Sequence, residues 1–156
     1  MSETTLIDQA VVAEPIVTPT VYYPNSIKSQ HQPSAIFRFN NGEIGIRKGL
    51  YQLLGSEQVR FVLFVEYKGE LYITRTDDRH AFWVNICKKN DLFTSAMICH
   101  KTFVRDLMRR MGLGPGDDYS VDVAPHTVMA NEINADPAKY PYPLYRICLD
   151  KKLNRQ

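Results

Sequence analysis

The sequence predicts an α+β domain, mainly β, in the form of a pseudo-symmetric barrel with two short helices. Three observations carry this. Short runs rich in Val, Ile, Phe, Tyr and Thr are punctuated by Gly and Asn turn signals, only two stretches show helical spacing, and the order strand, short helix, glycine, strand, loop, strand occurs twice.

Residues 1–33 hold Pro15, Pro19, Pro24 and Pro33 and no sustained apolar period. Such a segment buries too little to offset its ordering entropy, so a flexible N-terminal arm is expected there. Within it, Val21, Tyr22 and Tyr23 offer an edge strand or a partner contact as the alternative to a mobile tail. A single β-rich domain is expected over residues 34–150, with a tail at 151–156.

From Ser34, AIFRFNNGEIGI alternates about an Asn-Asn-Gly turn and reads as a short hairpin or bulged strand pair. RKGLYQLLG follows as a two-turn helix: Leu50, Leu53 and Leu54 share one face, and Gly55 stands where a left-handed C-cap would sit. QVRFVLFVEYKG and ELYITRTDD form a hairpin across Lys68-Gly69-Glu70, where glycine admits a positive φ. HAFWVNICKKND reads as a strand that pairs with or covers the first unit, with Phe82, Val84 and Ile86 on one side and Trp83 on the other. Lys88 to Asp91 make a polar turn.

LFTSAMIC is the next strand, and in HKTFVRDLMRRMGL the residues Phe103, Val104, Leu107, Met108 and Met111 recur at helical spacing up to Gly112. GPGDDYSVDVAP supplies a turn and a strand, YPLYRICLDKK the last strand, and residues 126–141 a long loop between them.

Two similar units result, about 34–78 and 92–150, joined through 79–91. Lys48 to Gly55 spans 7 positions and Lys101 to Gly112 spans 11, a difference close to one helical turn. ELYITRTDD is echoed by PLYRICLDKK. Units of this size cover their apolar faces best by packing against each other.

GEIGIRKGLYQLLG resembles the core of the SpoVT/AbrB-like swapped-hairpin family. Gly42, Ile44, Ile46, Lys48, Leu50, Leu54 and Gly55 fit its glycine, alternating β residues, lysine-containing short helix and Leu-Gly. VRFVLFVEYKGELYITRTDD resembles the family's second hairpin, so the likeness covers about residues 36–78, with an echo over 92–150. The resemblance implies a swapped-hairpin-like barrel, here as an internal duplication within one chain, and a non-enzymatic DNA-binding transcriptional regulator. The chain departs from the pattern at Glu43, where the family carries a basic residue, at Arg47 in place of a helix-opening proline, and at Tyr51-Gln52 in place of an arginine pair. Glu43 would repel phosphate where the family attracts it.

Charge bounds the partners. The 156 residues carry 19 basic and 17 acidic side chains, a net +2, with −2 on residues 1–33 and +4 on the remainder. That tolerates an acidic partner without requiring one. No run of about 18 apolar residues occurs, and MSETTLIDQAVVAEPIV lacks a basic leader, so no membrane partner and a cytoplasmic setting are expected.

Cys87, Cys99 and Cys148 are odd in number and widely spaced, which points to reduced thiols in strands rather than a disulfide framework or a C-x-x-C metal pattern. His80, His100 and His126 are scattered, and no nucleophile elbow, phosphate loop or H-E-x-x-H is present, so neither an enzyme nor a cofactor is expected. Asp77-Asp78 and Asp117-Asp118 adjoin turns, where Asp serves local hydrogen bonding.

Candidate nucleic-acid contacts follow from the cations. Lys101, Arg105 and Arg109 stand at i, i+4 and i+8 beside Arg110, a stripe that can follow a phosphate backbone. The same stripe also suits a solvated face, with Arg109 and Arg110 well placed at the negative end of the helix dipole. Arg38, Arg47 and Lys48, with Arg60, form a looser group. If the units are pseudo-symmetric, Arg47-Lys48 and His100-Lys101 occupy equivalent corners of one binding face. Tyr22 and Tyr23 in the arm, and Tyr140 and Tyr142 in the proline-interleaved stretch DPAKYPYPLYR, are candidate protein contacts. They keep a second class open: a structural or adaptor protein of a phage or mobile-element assembly, working through a protein partner or homo-oligomer.

Overall fold

The computed structural model describes residues 18–19, 32–151 and 153. Apart from Thr18, Pro19, Gln32 and Pro33, the expected arm lies outside the described residues, Tyr22 and Tyr23 included, as does most of the tail. The chain divides after Gln30, three residues before the expected boundary, and the unit described is His31–Gln156.

Among the described residues the order is β1 (Ser34–Arg38), β2 (Glu43–Ile46), α1 (Lys48–Leu54), β3 (Phe61–Tyr67), β4 (Glu70–Thr76), β5 (Phe82–Trp83), β6 (Asn85–Lys89), β7 (Leu92–Cys99), α2 (Lys101–Arg110), β8 (Asp118–Val123) and β9 (Leu144–Cys148). Short 3-10 turns occupy Ser56–Gln58 and Ala130–Ile133. No helix among these residues is long and apolar enough to cross a membrane.

All nine strands form one antiparallel sheet in the order β5-β3-β4-β9-β8-β1-β2-β7-β6, a nearly closed barrel of the mainly β class the sequence predicts. The order interleaves the units. The β1–β2 hairpin lies between β8 and β7, and the β3–β4 hairpin between β5 and β9, so neither of these first-unit hairpins pairs with the other. The sheet ends, β5 and β6, are consecutive pieces of one segment. Val84 separates them, buried to 3 % exposure, with its N–H donating to the Arg60 carbonyl at 2.9 Å. The single strand expected within HAFWVNICKKND is therefore split, because one segment pairs with β3 through its start and with β7 through its remainder, and it continues through Lys88 and Lys89, which were expected in the turn. This places strand structure inside the stretch expected to join the units.

Two ladders, β2–β7 and β4–β9, pair strands of one half with strands of the other. β2–β7 is centred between Ile44↔Ile98 and Gly45↔Met97, and β4–β9 between Tyr72↔Arg146 and Ile73↔Tyr145. The repeated dipeptides Leu71-Tyr72 and Leu144-Tyr145 stand symmetrically about the second centre. The turns tighten as their backbones require: Lys68-Gly69 and Asn90-Asp91 all have positive φ, as two-residue hairpin loops of the I′ kind demand.

Alternation fills the barrel. Ile44 and Ile46 on β2 face the same core as Ala96 and Ile98 on β7, all 1–2 % exposed. α2 caps it with Val104, Leu107, Met108 and Met111, 0–4 % exposed, each worth about 1.5–3 kcal/mol in removal from water. α2 is three residues longer than α1, close to the extra turn the alignment suggests. On α1 the buried side chains are Leu50, Tyr51 and Leu54, whereas Leu53, expected on that face, is half-buried. The ring of Tyr51 stacks on Phe93 at 4.3 Å, and that contact sets the helix phase.

The stretch expected as a loop over residues 126–141 is ordered about a second, smaller core. Tyr72, Ala130, Ile133 and Leu144 are buried there, and Val128 bridges to Leu144. The excursion replaces the two-residue turn of the first unit, and its apolar side chains provide the packing that a long polar loop would lack.

Candidate nucleic-acid interface

Each central strand runs directly into a helix. β2 leads through Arg47 into α1 and β7 through His100 into α2, and both entry residues have extended backbones. Since β2 and β7 are antiparallel and Glu43 pairs with Cys99, the entries fall at opposite ends of the pair, about 17 Å apart along the strands. Arg47-Lys48 and His100-Lys101 thus stand at opposite ends of the β2–β7 pair.

The corners differ in chemistry. His100 is a helix cap: its Nδ1 accepts from the Phe103 N–H at 3.1 Å, as an Asp or Ser oxygen would elsewhere. Its ring meets Phe82 edge-on at 5.6 Å. Arg47 makes no side-chain cap and donates instead to the Ser120 hydroxyl at 3.1 Å and the Ser34 hydroxyl at 3.5 Å.

The Asn-Asn-Gly turn is the seat of the α2 corner. Gly42 has φ +64°, and a Cβ there would lie 2.5 Å from the Lys101 Cα. The Gly42 carbonyl accepts from the His100 N–H at 3.0 Å. Arg105 reaches the same turn, with Nε donating to the Phe39 carbonyl at 2.9 Å and Nη2 to the Asn40 carbonyl at 2.6 Å, its guanidinium 5.6 Å from the Phe39 ring.

These contacts divide the predicted cations. Arg38 pairs with Glu43 at 3.1 Å, Arg109 with Asp106 at 3.0 Å, and Arg110 with Glu66 through both carboxylate oxygens at 2.8 and 2.9 Å. Arg47 and Arg105 contact only neutral oxygens, and Lys48 and Lys101 are exposed. Among the described residues none of these four is ion-paired with a carboxylate. The stripe of Lys101, Arg105, Arg109 and Arg110 is thus not uniform, because half of it is neutralised locally. Glu43 is turned toward Arg38, its side chain only 13 % exposed, so it is not presented as an isolated repulsive charge. The signal for this pairing was present in the sequence, since residues 38 and 43 face each other across a four-residue turn.

Two grooves accompany the corners. One, of about 230 Å³, is lined by Ile36, Gly45, Phe93 and Met97 together with Arg38, Arg47 and Lys48. The other, of about 350 Å³, lies beside His100 and includes Trp83. Neither was legible in the sequence, because each draws on several strands distant along the chain.

The tyrosine candidates are used by the fold. Tyr142 donates its hydroxyl to Asp77 at 2.8 Å and carries the Arg75 guanidinium 4.1 Å from its ring, while Tyr140 packs half-buried on the second core. Both tie the 124–143 excursion to the barrel. The three cysteines are free thiols in strands. Among the described residues no group of three or more His, Cys, Asp or Glu is arranged to hold a metal ion.

Comparison with known proteins found no match of this chain to a family model, to a curated protein or to a solved structure.

Proposed function

We propose that the chain is a non-enzymatic DNA-binding regulator acting in the cytoplasm, built as a duplicated swapped-hairpin barrel that resembles the SpoVT/AbrB-like proteins. One observation carries the reading: the helix entries Arg47-Lys48 and His100-Lys101 stand at pseudo-equivalent ends of the β2–β7 pair, and the cations there lack carboxylate partners among the described residues. Free thiols at Cys87, Cys99 and Cys148 suit a reducing compartment.

Arg47, Lys48, Lys101 and Arg105 are assigned to phosphates. Each phosphate neutralised on B-DNA contributes about −0.9 to the slope of log affinity against log salt, so four contacts give about −3.6, or roughly 150-fold weaker binding at 200 mM than at 50 mM salt. The test is anisotropy of labelled 20-base DNA, single-stranded and duplex, over that salt range. Lys48→Ala/Lys101→Ala is expected to reduce the duplex slope by about 1.8. An unchanged slope in the double variant, or no binding of either form at the low-salt end, overturns the reading.

A further inference from the structure

The barrel is not closed by a continuous ladder. β5 pairs only with β3, the chain crosses at Val84, and β6 continues on β7, which leaves a seam between the β3–β5 edge and the β7–α2 corner. The groove of about 350 Å³ lies in this seam, lined by Leu63, His80, Phe82, Trp83, Ile98 and His100 among others. That volume is within the ordinary range for a site holding one small planar group.

Its chemistry is specific. Trp83, the single tryptophan of the chain, is 63 % exposed although Phe82 and Val84 on either side pack inward. Its indole offers a broad aromatic face for stacking and a polar N–H, a combination common at contact surfaces. Asn85 and His80 bring polar edges, and His100, whose Nδ1 is taken by the Phe103 N–H, keeps Nε2 for a ligand. Exposed Arg79 and Lys101 adjoin His80 and His100 in sequence. Asp77 and Asp78 stand next to Arg79 and keep their negative charge, since their donors, the Tyr142 hydroxyl at 2.8 Å and the His80 N–H at 2.9 Å, are neutral.

We infer that this seam takes an unpaired nucleobase stacked on Trp83, with the adjoining phosphates on Lys101 and Arg79, so that the chain holds a single strand there in preference to a duplex. The inference rests on the nucleic-acid reading above and names the form of its ligand. A base inside a duplex has both faces covered and cannot enter, whereas aromatic platforms flanked by cations recur where single strands are held.

The experiment uses the full chain and the emission of its own tryptophan, titrated with dT12, U12 and a 12-base-pair duplex at 50 mM salt, with affinities from labelled oligonucleotides in parallel. Expected are quenching by the single strands, at least tenfold tighter binding of dT12 or U12 than of the duplex, and a loss of roughly 5- to 150-fold in Trp83→Ala, most of it restored in Trp83→Phe. The difference between dT12 and U12 assigns DNA or RNA as the source of the strand. Since Trp83 is exposed, its urea midpoint serves as the folding control and is expected to be unchanged. Equal binding of duplex and single strands without quenching, or an unaltered affinity in Trp83→Ala, overturns the inference and leaves the DNA-binding reading standing. No binding of any oligonucleotide overturns both.

Discussion

Replacing Tyr51 by Phe is expected to stabilise the protein, against the usual direction for a buried tyrosine. Tyr51 is 4 % exposed, and its hydroxyl has no hydrogen-bond partner among the described residues. Its ring contributes the stack on Phe93, which the substitution preserves. Burying a hydroxyl without a partner costs about 1–3 kcal/mol by mutational measures, and part of that is recovered when the oxygen is removed. A gain of about 1 kcal/mol follows, visible as a rise of roughly 0.5 M in the urea midpoint if m is about 2 kcal/mol/M.

A pH series adds a second readout. Burial, with a smaller contribution from Glu57 and opposition from Arg60, holds the Tyr51 hydroxyl above the usual tyrosine range. The folded state therefore keeps this proton more tightly than the unfolded state. That contribution is fully present below about pH 10 and is lost as pH rises through the folded value. The advantage of Tyr51→Phe over wild type should widen between pH 9 and 11. Tyr145, also raised by burial, leaves a residual alkaline loss in both proteins. Urea denaturation followed by circular dichroism at each pH measures both effects. A Tyr51→Phe protein less stable than wild type by more than about 0.5 kcal/mol at neutral pH would show that the hydroxyl is satisfied in solution and refute the reasoning.

Two further substitutions address the corner that Asn-Asn-Gly builds. Gly42→Ala combines a left-handed φ with a Cβ placed against the Lys101 backbone, so a loss of about 2 kcal/mol or more is expected in thermal melts; Gly69→Ala, at φ +78° with open space, should lose only about 1 kcal/mol. Glu43→Gln releases Arg38 from its ion pair, and the DNA salt slope should steepen by up to about 0.9 if Arg38 then reaches a phosphate. A shallower slope in that variant would place Arg38 away from the nucleic acid.

The strands, the two helices and their repeated order were legible because each depends on a local period: two for Ile44, Ile46 and Ile98, near 3.6 for Val104, Leu107, Met108 and Met111. The phase of α1 was not. Seven residues hold too few apolar positions to separate one face from its neighbour, and Tyr51 won the buried position from Leu53 through Phe93, which lies 42 residues away in sequence. The basic stripe was visible as spacing, but its partition was not. Arg110 meets Glu66 from another unit, and Arg105 turns onto backbone carbonyls that carry no mark in a sequence.

Trp83 illustrates the boundary between the two sources. Alternation along Phe82, Trp83 and Val84 alone determines that the tryptophan faces away from the core, since successive side chains on extended backbone point to opposite sides. That it lines a groove together with His100 was decided only by the tertiary structure. The chain can cross at Val84 because interleaving of the two units leaves β3 and β7 as the last unpaired edges, and one short segment must serve both. Local sequence sets which way a side chain points; the closure of the sheet sets what it points toward.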